Sequence, residues 1–350
     1  MIRLTWLQSR TQTLVAIGAL VAVAVVLAVT GPHLVQLYDT NVATCATRGD
    51  CTTATAAFLK HDQNLYNWLG ILLVAVPAIL GIFWGAPLVA REIETGTFRL
   101  AWTQSVTRTR WLAVKLAGIA LTSMALAGLF ALMLTWWASP IDTVNMKRFA
   151  PGVFDQRGIV AVGYAAFAVT LGVTAGILIR RTLPAMATTL VAFVAARLAM
   201  TYWVRPHLIA PAHTDMALRS SSGLGFEPGP LGETFVADPP TIPNAWVLSS
   251  QTVDKTGHAP SAQVLHQVLY RACPNMVAPP PPPTGVSRQP ANQGAFQDCM
   301  TQLSAKFHLA VTYQPASRYW SFQWYEAAIF VGLALVLAAF CLWWIRPRRS

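Results

Sequence analysis

Residues 91–115 concentrate charge between two long apolar runs: Arg91, Glu92, Glu94, Arg99, Arg108, Arg110 and Lys115, with a Gly96-Thr97 pair among them. Two carboxylates within a surplus of cations can form ion pairs, cap helix ends or dock on a charged partner surface. They do not make a catalytic set, because no histidine or cysteine stands with them. Ile93, Phe98, Leu100, Trp102 and Val106 are interspersed with charged and hydroxyl residues, so the stretch reads as one or two short helices lying on a membrane surface. Gly96 would permit the turn between them. The second candidate is Arg197, inside one apolar run, with Glu326, inside another, as the acid at similar depth. Ionisable residues there are costly unless they meet a partner or a wet cavity. The two read either as a structural ion pair or as part of a path for an anionic or amphipathic molecule.

Other chemistry is missing. The chain has no G-x-x-x-x-G-K-[ST] phosphate loop, no H-E-x-x-H and no serine elbow, so neither ATP hydrolysis nor another enzymatic activity is expected of it. No metal is expected, because His207 and His213 lack a third ligand at useful spacing. Four of the five cysteines form two local pairs, Cys45 with Cys51 and Cys273 with Cys299. Two disulfides in an oxidising compartment are expected, with four free thiols as the alternative.

These residues must be positioned by membrane helices. Hydrophobic residues make up 54% of the chain and charged residues 11%. Apolar runs at 13–31, 68–89, 111–137, 158–180, 184–204 and 322–344 are each long enough to cross a hydrocarbon core about 30 Å thick. The expected fold is therefore an all-α membrane protein with six transmembrane helices. Arg3, Arg10, Arg180, Arg181 and Arg346 join the 91–115 cations on one side, against only Glu92 and Glu94, which places both termini in the cytoplasm of a plasma-membrane protein. The net charge of +11 is spent on this asymmetry, and nucleic-acid binding is not expected. Residues 1–12 are expected as an interfacial helix, 13–204 as spans one to five with the cytoplasmic segment 90–115, 205–321 as a large exterior loop domain, and 322–350 as the last span and a basic tail. The first half of the exterior domain is rich in Gly, Pro and Ser and reads as irregular. Helical spacing recurs at 261–272 and 292–308, on either side of the prolines at 279–283. Gly81-x3-Gly85 and Gly172-x3-Gly176 signal close helix packing without naming a partner. Tryptophans at span ends, Trp136 and Trp137 among them, read as interfacial anchors.

The order Glu94, Gly96, Thr97, Leu100, Thr107, Arg108 and Lys115 resembles the signature of ABC-2 type transporter permeases, with Ser105 where that family usually has proline. Six spans, interior termini and a large loop before the last span are similar too. The resemblance implies that Arg91, Glu92, Glu94, Gly96, Thr97, Arg99, Arg108 and Arg110 form the coupling segment entered into a groove of a separate ABC ATP-binding subunit. It also implies a second, identical permease subunit, surrounding membrane lipids, and ATP and Mg held by the partner rather than by this chain. Export of a hydrophobic or amphipathic small molecule would follow. The alternative from another class is a membrane sensor or assembly protein that uses residues 205–321 for ligand or partner binding.

Overall fold

The computed structural model describes residues 2–45, 51–96, 107–217, 224–229, 232–237, 240, 242–261 and 301–346, together with helical positions 263–264, 267–268 and 271. The chain divides into two units, one built from Met1–Leu208 with Ser317–Ser350 and the other from Ile209–Ala316.

Among the described residues, the first unit contains six helices long and apolar enough to cross a membrane: Arg10–Ala43, Gln63–Glu94, Arg108–Trp137, Val160–Ile179, Thr182–His207 and Ala316–Trp344, here spans one to six. Span four is the axis. It packs against spans two, three, five and six, and 78% of its apolar window is buried, against 11% for span one. Its sequence explains the position, since Gly163, Ala165, Ala166, Ala168, Gly172, Ala175 and Gly176 present almost no side-chain bulk. Neighbouring backbones can then come close enough for extensive van der Waals contact, which drives association where lipid offers no hydrophobic gain. The closest approach is to span two. A Cβ on Gly81 would sit 2.6 Å from the carbonyl oxygen of Ala168, one on Gly85 2.6 Å from that of Val169, and one on Gly176 2.6 Å from that of Ala86. The two small-residue pairs expected only to pack somewhere are therefore partners of each other. Span two also widens into a π-helical turn at Gly81–Gly85, just after Pro77, so the seam coincides with the irregular part of the helix.

Two expected boundaries differ. Residues 2–12 are not a separate interfacial helix, because one helix runs from Ile2 to Leu37 and continues as a π turn through Ala43. It passes Pro32, where the first span was expected to end. Leu34 continues the buried face begun by Leu27, and the Trp137 indole Nε1–H donates to Thr30 Oγ1 at 2.9 Å. A proline inside a membrane helix is tolerated when neighbours stabilise the segment in this way. Trp137 is thus 1% exposed and part of the core, whereas Trp136 is 60% exposed and suits an anchor. Between spans three and four the chain forms two short helices, Ser139–Asn145 and Pro151–Gln156. Phe149 and Phe154 tuck them against Tyr319 and Phe322 of span six.

The second unit is not all-α. Strands β1 (Ala212–Ala217), β4 (Trp246–Asp254) and β5 (Phe307–Gln314) form an antiparallel sheet in the order β1-β5-β4, and β2 (Leu224–Gly229) pairs with β3 (Gly232–Ala237). The segment expected to be irregular therefore carries strands. The expected helix over 292–308 also ends early: residues 301–304 are helical, but Phe307 opens β5. Phe307, Leu309 and Val311 are buried at every second position, a two-residue period that outweighs the helical spacing. Cys45 and Cys51 are joined as a disulfide, while Cys273 and Cys299 lie outside the described residues.

Gly172→Val is expected to lower the unfolding midpoint in detergent, at a cost of about 1–3 kcal/mol for overpacking. Gly332→Val, where nothing lies within 4 Å of an added Cβ, is the matched control and should change little. Equal effects of the two in a thermal melt would contradict the seam.

Candidate functional site

Two polar constellations stand at opposite ends of the helix bundle. The first surrounds the segment after span two. Glu92 forms an ion pair with Lys115 of span three, whose side chain is buried with its ammonium 4.7 Å from the Trp111 ring centre. Trp111 belongs to a buried apolar cluster with Val89, Leu112, Val173, Ile177 and Cys341, and neutralisation is what makes a lysine tolerable beside it. Glu94 reaches span five instead: its Oε2 accepts the Thr182 hydroxyl at 2.7 Å and the Thr182 N–H at 3.2 Å. A carboxylate from one helix thereby caps the N-terminus of another, satisfying an orphan donor and the positive end of the dipole. Of the roles open to two such acids, Glu92 thus forms an ion pair and Glu94 caps a helix end, and together they lock the end of span two to spans three and five.

Gly96 follows with φ +73°, the left-handed conformation that stops the helix ending at Glu94; among the described residues nothing crowds an added Cβ, and it is the backbone conformation that favours glycine. After the intervening stretch, the Thr107 hydroxyl accepts the Arg110 N–H at 3.4 Å and starts span three. Arg91, Arg108 and Arg110 are exposed at these ends, whereas Thr97 and Arg99 lie outside the described residues.

The second constellation is a buried charge cluster at the other end. Arg197 donates through Nη2 to Asp155 Oδ2 at 2.6 Å, and its guanidinium stacks 3.7 Å from the Tyr164 ring centre. Arg205 holds Glu326 through Nε at 2.8 Å and Nη2 at 2.9 Å, and also bonds Asp155. The Tyr164 hydroxyl lies against Glu326 and is 3.2 Å from Asp155 Oδ1. Glu326 and Arg205 are essentially inaccessible, at 0% and 1% exposure. Beside this cluster, Arg157 pairs with Asp142 (Nε to Oδ2, 2.8 Å), and the Tyr66 hydroxyl donates to the same carboxylate. Gln323 completes the end by accepting the Val160 N–H at 3.2 Å and donating to the Phe154 carbonyl at 3.1 Å. The charges balance, and the network joins spans four, five and six to the connection before span four.

Arg197 and Glu326 therefore share a cluster, but no ion pair or hydrogen bond links them among the described residues. Asp155 and Arg205 take the intermediate places. Asp155 escaped the sequence reading because it lies between apolar runs, where a carboxylate reads as solvated loop. A signal existed nonetheless: Asp142, Asp155 and Arg157 are charged residues in a connection otherwise rich in Pro, Phe, Val and Ile. Arg205 is eight residues after Arg197, near two full turns and so on the same side of span five.

Six spans around a small-residue axis, tied by polar side chains at both ends, define a multi-pass membrane protein whose helices are held to one another in defined places. Residues 17–205, more than half of the chain, match the family described as ABC-2 membrane transporter related, and the chain belongs to that family. It is a membrane permease component of an ABC transporter, which associates with an ABC ATP-binding subunit and is not itself catalytic. The matched stretch includes the 91–115 segment, Asp155, Arg197 and Arg205; Glu326 and the second unit fall beyond it. No curated protein and no solved structure matches the chain.

A double-mutant cycle tests the pairing. Arg205→Gln with Glu326→Gln should show a coupling energy of about 1–3 kcal/mol in unfolding titrations, because the two touch in a sealed site. The cycle Arg197→Gln with Glu326→Gln should show a smaller one, and the reverse ranking would restore the direct pair.

Proposed function

We propose that this chain is the membrane subunit of an exporter that moves a hydrophobic or amphipathic small molecule across the plasma membrane. A separate subunit that binds ATP and Mg docks on residues 91–110, and two copies of this chain enclose the path. Both termini face the cytoplasm, on the side that carries the docked subunit. This chain needs no cofactor of its own.

The observation that supports the docking place is the pair of cross-helix ties at Glu92 and Glu94. A surface linker needs no such anchors. Here both acids are engaged with other spans, while Arg91 and Arg110, exposed on the flanks, present positive charge to a partner. Force applied between those flanks would act on spans two, three and five together. Span four, packed against all three and joined to span two by close backbone contact, would follow. Rigid-body motion of this kind is how a path can open alternately to the two sides of a membrane. Family membership supports the transporter over the sensor.

Charge reversal on the flanks is the test. Arg91→Glu combined with Arg110→Glu should reduce ATP-binding subunit recovered with the tagged chain by about tenfold, equivalent to ~1.4 kcal/mol, and should steepen with salt in the wild type. The thermal midpoint of the permease should be unchanged, because neither arginine is buried. Undiminished recovery would move the docking surface elsewhere.

A further inference from the structure

Within the buried cluster, Arg197 differs from its neighbours. Among the described residues its Nε and Nη1 have no hydrogen-bond partner, although Arg197 is only 8% exposed. Its one acid, Asp155, is shared with Arg205, which in addition holds Glu326 through two nitrogens. The Glu326 end of the network is saturated, whereas the Arg197 end, in a network whose charges balance overall, is short of acceptors. Unsatisfied buried donors are expensive, about 1–3 kcal/mol each and more on a charged group. A water molecule would supply an acceptor but no charge.

The position of Arg197 adds a direction. It lies ten residues before the His207 end of span five, about 15 Å along the axis at ~1.5 Å per residue and so well inside that span rather than at its tip. Buried residues on this helix fall at Ala185, Thr189, Phe193 and Arg197, so Arg197 is the last of a stripe at four-residue spacing. One and two turns back, Val194 and Leu190 are 43% exposed each, forming an apolar strip that adjoins the guanidinium. A cation inside the span beside an open apolar strip has the two elements an acidic amphiphile requires.

We infer that Arg197 receives the carboxylate or phosphate group of an acidic amphiphile whose apolar chain lies along Leu190 and Val194. This rests on the transporter reading only in taking that amphiphile as cargo. Charge-assisted hydrogen bonds from Nη1 and Nε to the acidic group satisfy the donors left open by Asp155. Aromatic stacking on Tyr164 holds the guanidinium plane in place for the incoming group.

The test uses the full chain in nonionic detergent, without an ATP-binding subunit, and cis-parinaric acid as the fluorescent probe. Saturable energy transfer from protein tryptophan to bound parinarate is expected, with the methyl ester at least about tenfold weaker. Dodecyl phosphate should displace parinarate and inorganic phosphate should not, which separates an amphiphile site from a simple anion site. Arg197→Gln should weaken parinarate about tenfold. If that variant fails to fold, Leu190→Trp decides, since it fills the strip without touching the charge cluster and should block the probe equally. Equal binding of acid and ester, displacement by inorganic phosphate alone, or unaltered binding in Leu190→Trp would overturn the site. Co-purification of an ATP-binding subunit is scored separately. If the subunit is retained and parinarate does not bind, the site fails and the permease reading survives. If parinarate binds through Arg197 and no such subunit is found, the site stands and the exporter reading fails.

Discussion

The fold depends on one contact, the backbone-to-backbone seam between spans two and four. Gly81 and Gly85 meet Gly172 and Gly176 so closely that a single added methyl group would strike a carbonyl oxygen. In a bilayer, helix association gains little from hiding apolar surface, because lipid is as apolar as leucine. Close approach of backbones must supply the attraction, and only small residues allow it. Once span four occupies the axis, the remaining spans arrange around it, and every other tie in the first unit is placed relative to it.

Polar side chains then finish the two ends differently. At one end, Glu92 and Glu94 leave span two to engage Lys115 and Thr182, making short local bonds close to the flank that a partner would press. At the other, Asp155, Arg197, Arg205, Glu326 and Tyr164 share charge among three spans and a connecting helix. Isolated buried charges in such a place would be prohibitive; a balanced network is not. The seam lies between the two ends, so spans two and four form a stiff strut joining the surface proposed for docking to the region of Arg197. Rigid backbone contact, rather than long side chains, suits that role because it has no slack to absorb displacement.

Much of this was legible in the residues. Six spans followed from run length, and the unusual polar stretch at 91–115 was visible as charge between apolar runs. The small-residue pairs were visible too, but a pattern of glycines one turn apart does not state which helix it faces; only the register of two spans does. Pairing inside the cluster was misassigned for a related reason. Arg197 and Glu326 are ionisable residues inside apolar runs at similar depth, while Asp155 enters from a short connecting helix that folds back into the bundle. Depth along a span cannot be read for a residue outside every span. The strands of the second unit were hidden by Gly and Pro content, which marks turns strongly and the short strands between them weakly. Trp137 looked like its neighbour Trp136, and packing alone separates a core indole from an anchor.

The most direct measurement is the spin-label distance between Thr143 and Trp203, both exposed near the charge cluster. It would be recorded with the ATP-binding subunit bound, before and after trapping in the ATP state. A strut that carries motion from residues 91–110 across the bundle requires a change in that distance on ATP trapping, lost when Gly172→Val breaks the seam. An unchanged distance while the partner hydrolyses ATP would contradict it, and would mean that force applied at the docking flank does not reach the far side of the bundle.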